Sequence, residues 1–369
     1  MKKWIVLLLV LLSVLALGAC NEGSFGLAYT VNADGKSCMV TGPGLHKEDA
    51  AIVIPRSLDG YKVTAIRDDA FRQCENLTSI AIPRTVTSIG SRAFYGCTGL
   101  ARVDLPDGLM RLGVDVFEGS GVVLIPDENG LVYYDNWLIS AEGGAANVSV
   151  REGTAGLAMH CFYGDEALVS VQLPDSVRSI GLAAFAECKS LTTVNIPTGV
   201  TRIEDSTFYG CSRLAELTLP KTVTHIGNSA FTWCSSLGVL TLPEGLVSIG
   251  DSAFFHSSML RLVSLPSTLQ TVKRSAFEGC SMLLSVTVPE GVTVLKEMVF
   301  SGCQELRTVY LPSTLTLIEY GALMNCPQLG AIYFNGTAEE WAAIEKNSYW
   351  DAHSVGYRVY DKNGIHIEE

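Results

Sequence analysis

Positive charge is what this sequence has least of. Lys and Arg total 26 against 38 Asp and Glu, a net charge of −12 at pH 7. A nucleic-acid binder needs a basic face to displace counterions, so nucleic acid is excluded as a partner. Attraction to anionic lipid head groups is disfavoured for the same reason. Charge of either sign is sparse, at 17% of residues beside 48% hydrophobic ones. That balance suits a stack of short strand-like coils with Thr, Ser and Gly outside better than an ordinary globular domain.

The motifs of several chemistries are missing too. Among eleven cysteines there is no C-x-x-C pair, so zinc is not expected. The six histidines (His46, His160, His225, His256, His353, His366) show no metal-ligand spacing. There is no G-x-S-x-G and no H-E-x-x-H. Gly35-Lys36-Ser37 mimics the end of a phosphate-binding loop, but Thr30 stands where that loop needs its first glycine. Catalysis requires a converging constellation in a pocket, and the carboxylates are scattered. No enzyme, metal or cofactor is expected.

What the sequence has instead is a period. Prolines fall at Pro174, Pro197, Pro220, Pro243, Pro266, Pro289 and Pro312, each 23 residues after the last. Phe185, Phe208, Phe231, Phe254, Phe277 and Phe300 keep the same interval. A 20–29-residue period with Leu and Val at fixed offsets signals a leucine-rich repeat solenoid. Phe71, Phe94, Phe117 and Phe162 extend the series, and Leu323 closes it, giving eleven repeats. In VTRIEDSTFYGCSRLAELTLP the anchors are Val200, Ile203, Phe208, Cys211, Leu214, Leu217 and Leu219. Leu217-Thr218-Leu219 alternates, which places Thr218 outside a short strand. Pro220 has no N–H and ends that strand. Val200–Ile203 is a second extended segment, often followed by glycine (Gly90, Gly181, Gly227, Gly250), as a tight turn would require. The Ala-Phe pair marks a buried corner on a helical turn.

Eight cysteines lie three residues after the Phe: Cys74, Cys97, Cys188, Cys211, Cys234, Cys280, Cys303 and Cys326. One per coil reads as a structural ladder of small buried residues. Parallel side chains are also poorly placed for disulfides. Cys38 and Cys161 lie off the ladder.

The ends differ from the array. Residues 1–19 read as a signal peptide: Lys2-Lys3, an apolar run, then Gly18-Ala19. The run is too short for a confident membrane span. LGAC resembles a bacterial lipobox, which implies lipidation at Cys20, with residues 20–26 as tether. The expected membrane contact is then through the N-terminal lipid only. Residues 27–59, with a hairpin turn at Asp34-Gly35, form an N-terminal cap. The solenoid runs over residues 60–334, interrupted at 121–150 by an inserted hairpin carrying LVYYDNWLIS. Residues 335–369 form a C-terminal cap, with a capping box at Thr337 and Glu340 and a hairpin turning at Asn363-Gly364.

The repeats NLTSIAIPRTVTSIGSRAFYGCTGL and SLTTVNIPTGVTRIEDSTFYGCSRL resemble the unit of the BspA-like leucine-rich repeat family. The resemblance covers roughly Ile52 to Asn335, and FNGTAEEWAAI is similar to the segment that caps such arrays. It implies a bacterial surface protein, associated with adhesion to host extracellular proteins, but carries over no ligand. The expected function is a lipid-anchored surface module, at the cell surface or envelope, binding an extracellular protein or glycan. The alternatives are a structural spacer or self-associating envelope protein, and, third, an enzyme accessory. A binding surface would use the outward strand row: Ala81, Asp104, Gln172, Asn195, Thr218, Thr241, Ser264, Thr287, Tyr310 and Tyr333. Tyr133, Tyr134 and Trp137 of the insertion are further candidate contacts.

Overall fold

The computed structural model describes residues 24–354 and 356–367. The residues expected to form the signal peptide, Cys20 and the start of the expected tether lie outside the described residues. The chain forms two compact units, one ending at Val123 and one beginning at Leu124.

In the first unit, Ala28–Val31 pairs antiparallel with Ser37–Gly42. The Asp34 carboxylate closes the turn by accepting the backbone N–H groups of Lys36 and Ser37 at 2.8 and 2.9 Å. Tyr61–Ile66, Ser88–Ile89 and Arg111–Leu112 then add in parallel, one strand per coil. Ala51–Val53 and Ser79–Ala81 form a second parallel pair. Phe71, Phe94 and Phe117 stack inside, with ring centroids 5.7 and 6.0 Å apart.

The second unit is a leucine-rich repeat β-solenoid with the same coil. One ladder runs through Glu216–Thr218, Val239–Thr241, Leu262–Ser264, Ser285–Thr287, Thr308–Leu311 and Ala331–Phe334. Another runs through Arg202–Ile203, His225–Ile226, Ser248–Ile249 and Thr271–Val272. Between them the Phe corner is made of single turns closed by i→i−3 hydrogen bonds, such as Cys234 N–H to the Phe231 carbonyl at 3.1 Å. Left-handed residues two before and two after the Phe (Ser229 and Trp233 around Phe231) break these turns apart. The zigzag frees alternate N–H groups to reach the next coil. Ser229, Phe231 and Trp233 donate to the carbonyls of Asp251, Ala253 and Phe255 at 2.8, 2.7 and 2.9 Å. From Phe162 to Phe300 the rings stack at 5.1–5.6 Å with planes within 14°. Such offset stacking adds about 0.5–1.5 kcal/mol per pair beyond burial.

The glycines after the second strand serve a different purpose from the one expected. None of Gly90, Gly181, Gly227 or Gly250 has a positive φ. A Cβ on Gly250 would lie 2.6 Å from the backbone N of Asn228, and one on Gly227 2.6 Å from that of Asp205. Glycine is there because the preceding coil's backbone passes too close for a side chain.

The interruption is part of the ladder. Leu131–Tyr134 and Trp137–Ala141 form an antiparallel hairpin, and the second strand pairs in parallel with Gly156–Leu157. Asn147–Ser149 pairs with Ser170–Gln172, so Val148 already stands in repeat phase with Val171. The insertion therefore supplies the first rungs of the second unit. At the other end, Thr337 and Glu340 form a reciprocal capping box on the helix Ala338–Ala343, which buries Trp341. Arg358–Tyr360 then adds in parallel to Ala331–Phe334, and His366–Ile367 folds back on it.

Candidate binding surface

Each strand of the longer ladder is about three residues, with its middle residue turned inward. Both flanking residues therefore face out. In the second unit Gln172, Thr218, Thr241, Ser264, Thr287, Tyr310 and Tyr333 are exposed; in the first, Ala81 and Asp104 are. Asp104 is paired with Arg102 at 2.8 Å. Asn195 is only half-buried, and its amide is committed to the fold. Its oxygen accepts from Leu173 N–H at 2.7 Å and its nitrogen donates to the Leu173 carbonyl at 2.8 Å. It acts as an extra ladder rung at the edge of this face.

The sequence reading missed the other outward flank. Val239 and Leu262 pair across adjacent strands there and are 65% and 59% exposed. The three-residue alternation that placed Thr241 and Ser264 outside places these two outside as well.

Two grooves lie on this face. One, of about 770 Å³, runs past Gln172, Asn195, Glu216 and Thr218. The other, of about 410 Å³, lies at the C-terminal end between Tyr310, Tyr333, Glu290, Asn335 and Lys362, with Pro289 and Pro312 beside it. Here Tyr310, Tyr333 and Tyr360 occupy one register. Their rings stack at 5.1 Å in both steps, tilted by 15° and 18°. Stacking covers the ring faces and fixes the rotamers, so ring edges and hydroxyls line the surface. Tyr360 was missed because it sits in the cap, 27 residues after Tyr333 and out of the 23-residue phase.

Glu290 ties the groove wall together. Its carboxylate accepts from Asn335 Nδ2 at 2.7 Å, Ser313 Oγ at 3.0 Å and Thr314 N–H at 3.3 Å. Partial burial pushes its pKa up, but hydrogen bonds from Asn335 and Ser313 outweigh that and hold it below the usual carboxylate value. The groove thus combines a fixed negative charge with a row of aromatic edges.

Of the insertion residues, Trp137 is buried at 1% exposure and belongs to the core, so it is no surface contact. Its place in the hairpin strand turns it inward, where its ring fills the space that a Cβ on Gly156 would need. Tyr133 is half-buried beneath the Arg151 guanidinium, 4.1 Å from ring centroid to Cζ. Tyr134 is half-buried as well. A different aromatic cluster was missed. Trp233 and His256 hold left-handed positions that are glycine in several other coils, and their rings stack at 4.4 Å. Phe255 meets both edge-on.

All ten described cysteines are free and buried, Cys38 and Cys161 included. Most of the ladder does more than fill space. Cys97, Cys188, Cys211 and Cys234 donate Sγ–H to the Phe carbonyl of the preceding coil at 3.0–3.1 Å. Cys280, Cys303 and Cys326 do the same at 3.2–3.4 Å. Ser257, in the same place, makes the same bond at 2.8 Å. Burial pushes the thiols up, to about 11 at Cys97 and about 12 at Cys188. No group of three or more metal-binding side chains occurs among the described residues. No described helix is long and apolar enough to cross a membrane.

Among curated proteins, none matches the chain. Several solved structures are similar to it. A leucine-rich repeat protein from Bacteroides ovatus is 23% identical over 92% of this chain and 90% of that one, with a TM-score of 0.49. A leucine rich cell surface protein from Faecalibacterium prausnitzii is 26% identical over 89% and 98%, with a TM-score of 0.39. The T. pallidum leucine-rich repeat protein is 29% identical over 57% and 88%, with a TM-score of 0.29. The family described as "BspA type Leucine rich repeat region (6 copies)" matches residues 62–138, 155–283 and 225–355. With most of its length matched, repeat for repeat, the chain belongs to the BspA-type leucine-rich repeat family.

Proposed function

We propose that this protein is a surface-exposed bacterial lipoprotein, anchored at Cys20, whose solenoid binds an extracellular protein or glycan. The strand face is the binding surface, and its C-terminal groove is the principal site. The observation that carries this reading is the exposed Tyr310–Tyr333 pair beside the Glu290 carboxylate, with the half-buried Tyr360 stacked behind Tyr333. Tyrosine gives a large contact area and a hydroxyl for little loss of side-chain freedom, which favours it at interfaces. An adhesin role is the finer form of this proposal, and it follows from the family's association with host surfaces.

The rival reading is a structural spacer with no dedicated ligand. It draws support from the middle of the row, where Thr218, Thr241 and Ser264 are the short hydroxyl residues a solvated face would carry. The two separate in one assay. Residues 21–369 are tested for binding to arrays of matrix proteins, plasma proteins and glycans. A folded variant carrying Tyr310→Ser and Tyr333→Ser runs in parallel. Saturable binding that the variant loses supports the groove. Binding that the variant retains moves the site elsewhere, and no binding to any array member favours the spacer.

A further inference from the structure

The two most exposed large hydrophobic side chains in the described chain are Phe25, at 91%, and Leu45, at 85%. Single exposed hydrophobics need no explanation. These two differ because the backbone holds their segments together. Leu45 N–H donates to the Gly26 carbonyl at 3.3 Å. The His46 ring bridges the Phe25 carbonyl at 2.5 Å and the Asp49 carboxylate at 2.6 Å. Gly44, at φ +57°, permits the contact, since a Cβ there would clash with the Gly26 oxygen at 1.9 Å. The Leu45 side chain lies over Gly26, where an added Cβ would be 3.0 Å from Cδ1. Phe25 and Leu45 are therefore presented on a latched edge.

Chain length says what lies opposite that edge. Phe25 lies five residues along the chain from Cys20. At about 3.6 Å per residue those five steps reach at most about 18 Å. An acylated Cys20 sits at the membrane surface, and each interfacial zone is several ångströms thick. The edge carrying Phe25 and Leu45 is then confined next to the bilayer. The carboxylates that follow Leu45 are both engaged: Asp49 by His46, and Glu48 by Asn76 Nδ2 at 2.9 Å.

We propose that Phe25 and Leu45 form an apolar wedge that enters the lipid interface beside the acylated Cys20 and seats the first unit on the membrane. This inference rests on the lipoprotein reading. A short amphipathic contact adds to an acyl anchor by burying apolar area in the interface. The lipid then tethers the protein, and the wedge restrains how it stands.

The test uses the full precursor with Phe25→Trp, processed in a bacterial host and reconstituted in phosphatidylethanolamine/phosphatidylglycerol vesicles with brominated acyl chains. Emission is compared with that of the protein retaining Phe25, and mass spectrometry reads the acylation of Cys20. The wedge predicts that at least half of the emission added by the new indole is quenched, and that adding Leu45→Ser reduces the quenching at least twofold. An acylated, vesicle-bound Phe25→Trp protein whose added emission is not quenched overturns the wedge and leaves the anchor standing. Quenching that appears only when a second protein is added overturns it in favour of a protein partner. An unmodified Cys20 overturns the anchor, and the wedge with it.

Discussion

Replacing Cys234 separates two accounts of the cysteine ladder. Cys234 has no exposed surface, and its Sγ lies 3.1 Å from the Phe208 carbonyl. That carbonyl also accepts the Cys211 N–H at 3.1 Å, so the thiol supplies its second bond. Cys234→Ala removes one buried heavy atom, comparable to Ile→Val at about 0.5–1.5 kcal/mol. It also removes a hydrogen bond with a net value of about 0.5–1.5 kcal/mol. The sum is about 1–3 kcal/mol. Cys234→Ser keeps the donor, as Ser257 already does one coil later, and loses apolar area worth about one methylene, ~0.8 kcal/mol. Serine should therefore be the milder change. If the thiol were only an apolar filler, serine would add an unsatisfied hydroxyl, at about 1–3 kcal/mol, and alanine would be milder. Urea unfolding of the three proteins decides, read as the midpoint at a shared slope. A midpoint for Cys234→Ala at or above that for Cys234→Ser refutes the hydrogen-bond account.

Three further outcomes follow from the same packing. Burial raises the ladder thiols from about 9, to about 11 at Cys97 and Cys326 and about 12 at Cys188. Their contribution is complete below pH 9 and is lost as pH rises through the folded values, because only the unfolded chain can ionise; urea midpoints should be flat in this respect to pH 9 and then fall towards pH 11–12. Phe231→Leu loses stacking on both sides and Phe300→Leu on one, since Leu323 follows it; with the burial loss common to both, Phe231→Leu should cost more by one pair, about 0.5–1.5 kcal/mol, in the same assay. Thr337→Ala removes the acceptor that holds Glu340 N–H at 3.2 Å and should cost about 1 kcal/mol, visible as increased amide exchange in the helix Ala338–Ala343.

The period made the solenoid legible, because a coil that buries Val200, Ile203, Phe208 and Leu217 must repeat those residues to stack. Spacing alone could not say why a residue is required. Glycine at Gly227 and Gly250 reads the same whether it serves a positive φ or a close approach, and only the position of the preceding coil distinguishes them. Asn195 looks like its neighbours in the outward row, yet its amide completes a ladder that one strand leaves short. Trp137 and Tyr360 lie where the phase is broken, so their orientation depends on which strand each joins. The tyrosine groove was half visible: Tyr310 and Tyr333 stand in phase and Tyr360 does not, while Glu290 is in phase but looks the same as Glu244 two coils earlier.

The strand face as binding surface is tested most directly by hydroxyl-radical footprinting. Residues 21–369 are oxidised with and without a ligand captured from the arrays, and modification is read residue by residue. The account predicts ligand-dependent protection at Tyr310 and Tyr333, with Trp233 and Met259, at 44% and 42% exposure, unchanged. Protection centred on Trp233, with the tyrosines unchanged, would place binding at the Phe corner and contradict it.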